Sequence, residues 1–261
     1  MSSDKNIPSS SSTSSIPYRT CSITNEDEFV VIGNERHYKG DIEKEKHCPP
    51  PQLYGNAGAV ALIATSFNGL IAGFYLAGAM DVTILNAAVG LMFFYGGLVQ
   101  FLCGIWEMVK GNTFGATVFI SFGCWWIQLG STFVPAFGIR AAYGDDVEMF
   151  DNAMGLMILG WGMFAFMMFI CTLKANFTLS LAILTLDITL LLTSAGFLCG
   201  ADPRIFRAAG IVSIINCFIG WYEAFGAIAT STNAYFEYPT YPIPVVQGQK
   251  RLEGDGRCAE Y

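Results

Sequence analysis

Charge is missing from most of this chain in blocks long enough to decide its solvent. Residues 55–80, 82–106, 111–139 and 152–173 contain no Asp, Glu, Lys or Arg, while 175–201 and 208–236 hold one carboxylate each, Asp187 and Glu223. A helix crosses the hydrocarbon of a bilayer in about 20 apolar residues. In lipid only helices and closed barrels satisfy their own backbone. Six such blocks predict an all-α integral membrane protein, a six-transmembrane-helix bundle. A composition of 53% hydrophobic and 13% charged residues, with a mean hydropathy of +0.45, excludes an ordinary soluble domain of 261 residues.

The apolar periods place helices over 57–80, 84–109, 114–137, 152–173, 177–199 and 205–230. The links are short, so consecutive helices run antiparallel. An even number of spans puts both termini on one side. Of the 14 Lys and Arg residues, all but Arg140, Arg204 and Arg207 fall in the tails or in the links at Lys110 and Lys174, which places both termini in the cytosol. Asn176-Phe177-Thr178 is then a cytosolic sequon and stays unmodified.

Residues 1–48 read as a disordered cytosolic tail, rich in Ser and Thr over 9–15 and open to phosphorylation. They contain no secretory leader pattern. Residues 49–235 form the membrane domain and 236–261 a second cytosolic tail. The net charge of −7 reflects the tails and one loop, where Asp145, Asp146, Glu148 and Asp151 cluster. No basic stripe exists to meet nucleic acid. Five of the eight cysteines stand singly in apolar blocks and three in the tails, so no disulfide framework is expected.

Both histidines, His37 and His47, lie in the N-terminal tail, so the spans offer none as a metal ligand or base. GxSxG, HExxH and Walker patterns are absent from the sequence, which argues against a hydrolase or an ATP-driven pump. No cofactor is expected. Polar residues inside the blocks are therefore candidates for a solute path, because a polar side chain facing lipid is costly.

On helix two, Gly96, Gln100, Gly104 and Glu107 share a face, although Glu107 also stands at i−3 from Lys110 and can pair with it. On helix five Ser180, Asp187 and Ser194 recur every seven residues. Burial disfavours the charged form of Asp187, which suits either a proton-linked step or a hydrogen bond to a neighbouring helix. On helix six Ser213, Asn216, Gly220 and Glu223 form a third polar face. Glycines at 69 and 73 make a GxxxG, and those at 96, 97, 104, 115, 123, 155 and 160 extend the pattern, serving close helix packing or a wider pore. A short echo links Gly55-Asn56-Ala57-Gly58-Ala59 with Gly111-Asn112-Thr113-Phe114-Gly115-Ala116.

The string Phe94-Tyr95-Gly96-Gly97-Leu98-Val99-Gln100-Phe101, then Gly104, Glu107 and Lys110-Gly111-Asn112-Thr113-Phe114-Gly115, resembles the acetate uptake transporter family of bacterial succinate–acetate permeases and fungal acetate and ammonia transporters. Leu159-Gly160-Trp161, Cys171-Thr172-Leu173-Lys174 and Leu186-Asp187 extend the resemblance over residues 49–235. It implies six helices around a central path in each protomer, a homohexamer, and movement of acetate-like carboxylates with a proton or as a channel.

The resemblance also maps a hydrophobic constriction onto Ala57, Phe122 and Leu186. Ala57 departs from the Phe usual there, and Cys48-Pro49-Pro50-Pro51-Gln52-Leu53-Tyr54 departs from the family's Asn-Pro-Ala-Pro-Leu-Gly-Leu before helix one. The expected function is transmembrane movement of a short monocarboxylate, with Gln100, Glu107, Asn216 and Glu223 along the path and Asp187 as the proton-linked candidate. An ammonium exporter or urea-type channel, and a non-transporting membrane sensor, are the alternatives.

Overall fold

The computed structural model describes residues 21–22, 29–32, 35–38, 55–82, 84–229, 233–235 and 238–239. The chain divides into two compact units, Met1–Gly55 and Asn56–Tyr261. In the first, β1 (Cys21–Ser22), β2 (Phe29–Ile32) and β3 (Glu35–Tyr38) form an antiparallel sheet in that order, with Phe29 opposite Tyr38 and Ile32 opposite Glu35. The remaining residues of the two expected tails lie almost entirely outside those described.

The second unit holds six long helices: α1 (Ala57–Leu76), α2 (Leu85–Val109), α3 (Thr113–Thr132), α4 (Val147–Thr172), α5 (Phe177–Leu198) and α6 (Pro203–Ile228). Their starts are set by side-chain caps, which satisfy backbone donors that a first helical turn leaves free. Asn56, Asn112 and Asn176 accept from the N–H of Ala59, Gly115 and Leu179, at 3.4, 3.0 and 2.7 Å. The echo between Gly55-Asn56 and Gly111-Asn112 is thus a repeated cap, and it occurs a third time before α5. Asp146 caps α4 through the N–H of Met149 at 2.8 Å, so α4 begins five residues earlier than the apolar period suggests. At the other end of α3, Val134 takes an extended conformation before Pro135, which stops the helix at Thr132 rather than near 137.

Five of these helices, all but α3, are long and apolar enough to cross a membrane. The expected count of six is therefore five plus α3. That helix has 20 residues, about 30 Å, and no charge, but its Thr, Ser, Gln and Gly content lowers its hydropathy.

Neighbours in sequence are neighbours in space, and α6 returns to α1, so the helices close a ring. At the α1–α6 crossing Ser213 Oγ donates to Gly69 O at 2.8 Å, and a Cβ on Gly210 would overlap backbone atoms of Gly73 and Ala77. Ser194 Oγ donates to Gly155 O at 2.7 Å between α5 and α4, and Thr185 Oγ1 to Asn216 Oδ1 at 2.9 Å between α5 and α6. Between α3 and α4 the seam is made by large rings: Phe122 lies 5.9 Å from Trp161 and 5.7 Å from Phe164, and Trp125 lies 5.6 Å from Trp161. The outer face is apolar, with Phe94, Val109, Leu156, Met163, Met167, Ile215 and Phe218 more than half exposed. The interior holds Ser66, Asn68, Gln100, Glu107, Asp187 and Ser213. An apolar outer face with polar side chains kept inside, among the apolar core, is the arrangement a bilayer demands.

Candidate functional site

The polar stripe of α2 is wound more loosely than a regular helix. Over Met92–Val99 the turns widen to π geometry, and the N–H of Gln100 reaches back to Tyr95 O. Gln100 is 1% exposed, and its Oε1 has no hydrogen-bond partner among the described residues. Gly96, one turn earlier, lies against Asn68 of α1, whose Cγ is 2.5 Å from where a glycine Cβ would stand. Gly104 is filled by α3 instead, with Ile120 Cγ1 at 2.7 Å from the same construction. These two glycines serve close packing.

Glu107 is held from three sides. Its Oε1 accepts from Gly58 N at 3.1 Å and Lys110 Nζ at 3.0 Å, and its Oε2 from Asn112 Nδ2 at 2.7 Å. The carboxylate joins the start of α1, the end of α2 and the start of α3, and it includes the anticipated i+3 pair with Lys110. Glu223 has a parallel position on α6: its Oε1 accepts from Nδ2 of Asn176, the α5 cap, at 2.9 Å, and its Oε2 is buried without a partner among the described residues.

The heptad face of α5 turns towards α4. Ser180 Oγ donates to Thr172 O at 2.9 Å and Ser194 Oγ to Gly155 O, both α4 carbonyls. Asp187 stands between these rungs, 3% exposed, with Oδ1 unpartnered among the described residues. On α6 the expected polar face divides. Ser213 and Gly220 meet Gly69 and Ser66 of α1, while Asn216 and Glu223 bond residues of, or next to, α5.

Phe122 is 2% exposed among Trp161 and Phe164, and half-buried Leu186 packs on the same apolar cluster. Each sits nine residues into its helix, about 14 Å from the helix start. Ala57 is the first residue of α1, beside the Glu107 cluster, and the structure does not bring it to that depth. Eight residues further along α1, Thr65 Oγ1 accepts from Trp126 Nε1 at 3.3 Å.

Sequence reasoning missed Asn68. It is 2% exposed, its Nδ2 donates to Ala64 O at 2.9 Å, and its Oδ1 is unpartnered among the described residues. The available signal was that it is the sole amide side chain in α1.

Residues 38–245 match the model of the GPR1/FUN34/yaaH family. The chain is 36% identical to acetate permease A of Emericella nidulans over 78% of this chain and 69% of that protein. It is 33% identical to ammonia transport outward protein 2 of Saccharomyces cerevisiae over 83% of this chain and 79% of that one. Among solved structures, the bacterial acetate channel SatP shares the fold with a TM-score of 0.59, at 23% identity, covering 71% of this chain and 99% of its own. A family model that spans most of the helical unit, on a ring of helices with polar side chains buried inside it, settles the lineage: the chain belongs to the GPR1/FUN34/yaaH family.

Proposed function

We propose that this protein moves acetate and similar short monocarboxylates across the plasma membrane, as a transporter or channel. The observation that carries the reading is the closed ring of helices whose interior holds buried acceptor atoms on Asn68, Gln100, Asp187 and Glu223 that have no partner among the described residues. The relatives named as an acetate permease and an acetate channel support it.

In this reading residues 49–235 form the membrane domain of a homohexamer whose tails, 1–48 and 236–261, are cytosolic. Gln100, Asn216 and Glu223 lie along the path, Glu107 holds one end of it in shape, and Phe122 with Leu186 narrows it. Ala57 sits at the mouth. Asp187, the proton-linked candidate, holds a proton at the α4–α5 seam, since its protonated form matches the hydroxyl donors on either side of it along α5.

Proteoliposomes with an imposed pH gradient test the reading. Labelled acetate should enter faster than into protein-free vesicles. Absence of any protein-dependent flux would leave a membrane sensor as the better account. A second reading, export of ammonia, has one specific support in the 33% identity to ammonia transport outward protein 2. Competition between ammonium and acetate in the same vesicles separates the two.

A further inference from the structure

Two primary amides are buried where α1 meets α2. Asn68 lies against Gly96, and Gln100 follows Gly96 by one turn on the same face. The orientation of the Asn68 amide is fixed, because Nδ2 donates to Ala64 O. What has no partner among the described residues is Oδ1, a pure acceptor, and Gln100 adds a second such acceptor in Oε1. Buried acceptors are normally satisfied, so such a pair marks a place where a donor belongs.

The distribution of charge points the same way. The stretches 57–76, 85–109, 113–132, 147–172 and 177–198 contain no Lys or Arg, and the two arginines of α6, Arg204 and Arg207, stand in its first two turns. Carboxyl groups are present: Glu148 and Asp151 in the first two turns of α4, Glu107 bound to Lys110, Glu223 bound to Asn176, and Asp187 between the two serines that bond α4. Within a turn of the amides α1 offers no ionisable group and α2 only the half-buried thiol of Cys103. On the helices that pack beside them the others are Tyr75 and Tyr95, Cys124 of α3, and Cys217 and Tyr222 of α6. Apart from Lys110, which is bound to Glu107 at one end of α2, an anion in transit would thus meet amide oxygens and carboxyl groups with no cation among the described residues of these stretches to offset them.

We infer that Asn68 and Gln100 form a station for a small neutral solute that donates a hydrogen bond, and that a monocarboxylate passes it as the protonated acid. This rests on the transport reading above. A carboxylic acid gives its O–H to an amide oxygen and takes an amide N–H at its carbonyl. The carboxylate has no proton to give and sets its lone pairs against those of Oδ1 and Oε1. In this scheme the travelling proton is on the solute, and that of Asp187 stays at the α4–α5 seam. Ammonia and primary amides share the donor chemistry, so the test separates them.

The experiment is isotope exchange at equal pH on both sides of proteoliposomes, from about pH 5 to about pH 8, with protein-free vesicles subtracted. Labelled acetate, acetamide as its neutral isostere, and methylamine are compared. Acetate exchange should fall roughly tenfold per pH unit over the upper part of the range, as the protonated fraction does. Acetamide exchange should be independent of pH. Methylamine exchange that rises with pH while acetate and acetamide are excluded would assign the station to amines and overturn the acid. Asn68→Leu should lower acetate and acetamide exchange by roughly tenfold or more. Asn68→Ser, which keeps an oxygen acceptor while bonding Ala64 O, should retain most of both. Acetate exchange that is flat with pH while acetamide is excluded overturns the inference and leaves transport standing. Full exchange by Asn68→Leu eluting as wild type removes the residue from the station. Absence of exchange for every solute overturns the transport reading and the inference with it.

Discussion

The Glu107 carboxylate of α2 accepts the backbone N–H of Gly58, 49 residues upstream, at 3.1 Å, and so ties the first turn of α1 to the last turn of α2. Lys110 and Asn112 complete its shell. Removing a buried anion strands the donors around it, which costs more than the contact is worth. Glu107→Ala should destabilise the detergent-solubilised protein by about 3 kcal/mol. Glu107→Gln keeps an acceptor for Gly58 and should cost about half of that. Thermal melts of the two variants check the order.

Gly210 of α6 lies so near α1 that a Cβ would stand 2.6 Å from Gly73 O and 2.9 Å from Leu76 C, both backbone atoms that no rotamer change can move. Gly210→Ala should therefore force α1 and α6 apart and lower the melting temperature by several degrees, of the order expected for about 2 kcal/mol of overpacking. Gly160 of α4 has nothing within 4 Å of the same construction. Gly160→Ala should be neutral or slightly stabilising through helix propensity. Equal melting shifts for the two would refute this reading of the seam.

The existence and order of the helices were legible because a block without charge has few alternatives: Phe177–Leu198 begins where 177–199 was expected to begin and ends one residue earlier. The partners of each polar face were less legible. A period of seven places Ser180, Asp187 and Ser194 on one side of α5, but only the fold reveals that this side meets α4 carbonyls. The same limit divides the α6 face between two neighbours. The loose winding of Met92–Val99 was invisible to a pattern read at 3.6 residues per turn. The start of α4 was missed because Asp146 and Glu148 read as loop charge, whereas they cap the helix and favour its positive end.

Asp187 follows Ser180 by seven residues and precedes Ser194 by seven, and both serines donate to α4. A protonated carboxyl donates in the same direction, and so does an amide. Asp187→Asn should keep the melting temperature within a few degrees and leave acetate exchange and its pH profile near wild type. Asp187→Leu removes the donor and should loosen the α4–α5 seam by about 1–2 kcal/mol. Loss of acetate accumulation driven by a pH gradient in an intact Asp187→Asn protein would instead place the transported proton on Asp187.

At the opposite end of the bundle from the Asn caps, Asp202 starts α6. Its Oδ1 accepts from the N–H of Arg204 at 2.8 Å, and the Arg204 guanidinium donates to Oδ2 at 3.1 Å. The side-chain hydrogen bond from Arg204, with the backbone N–H, holds the Asp202 carboxyl below its ordinary value. A carboxyl depressed in the folded state contributes stability that is fully present above its unfolded value and is lost as pH falls through the folded value. The advantage of Asp202 over an Asp202→Asn variant should therefore be constant at neutral pH and vanish only below the usual carboxylate range. The site is solvent-exposed, so the difference should also shrink with added salt. Melting curves of both proteins at neutral and acid pH, each at low and high salt, measure it. A difference that persists unchanged into acid would mean that the cap acts through its shape and not its charge.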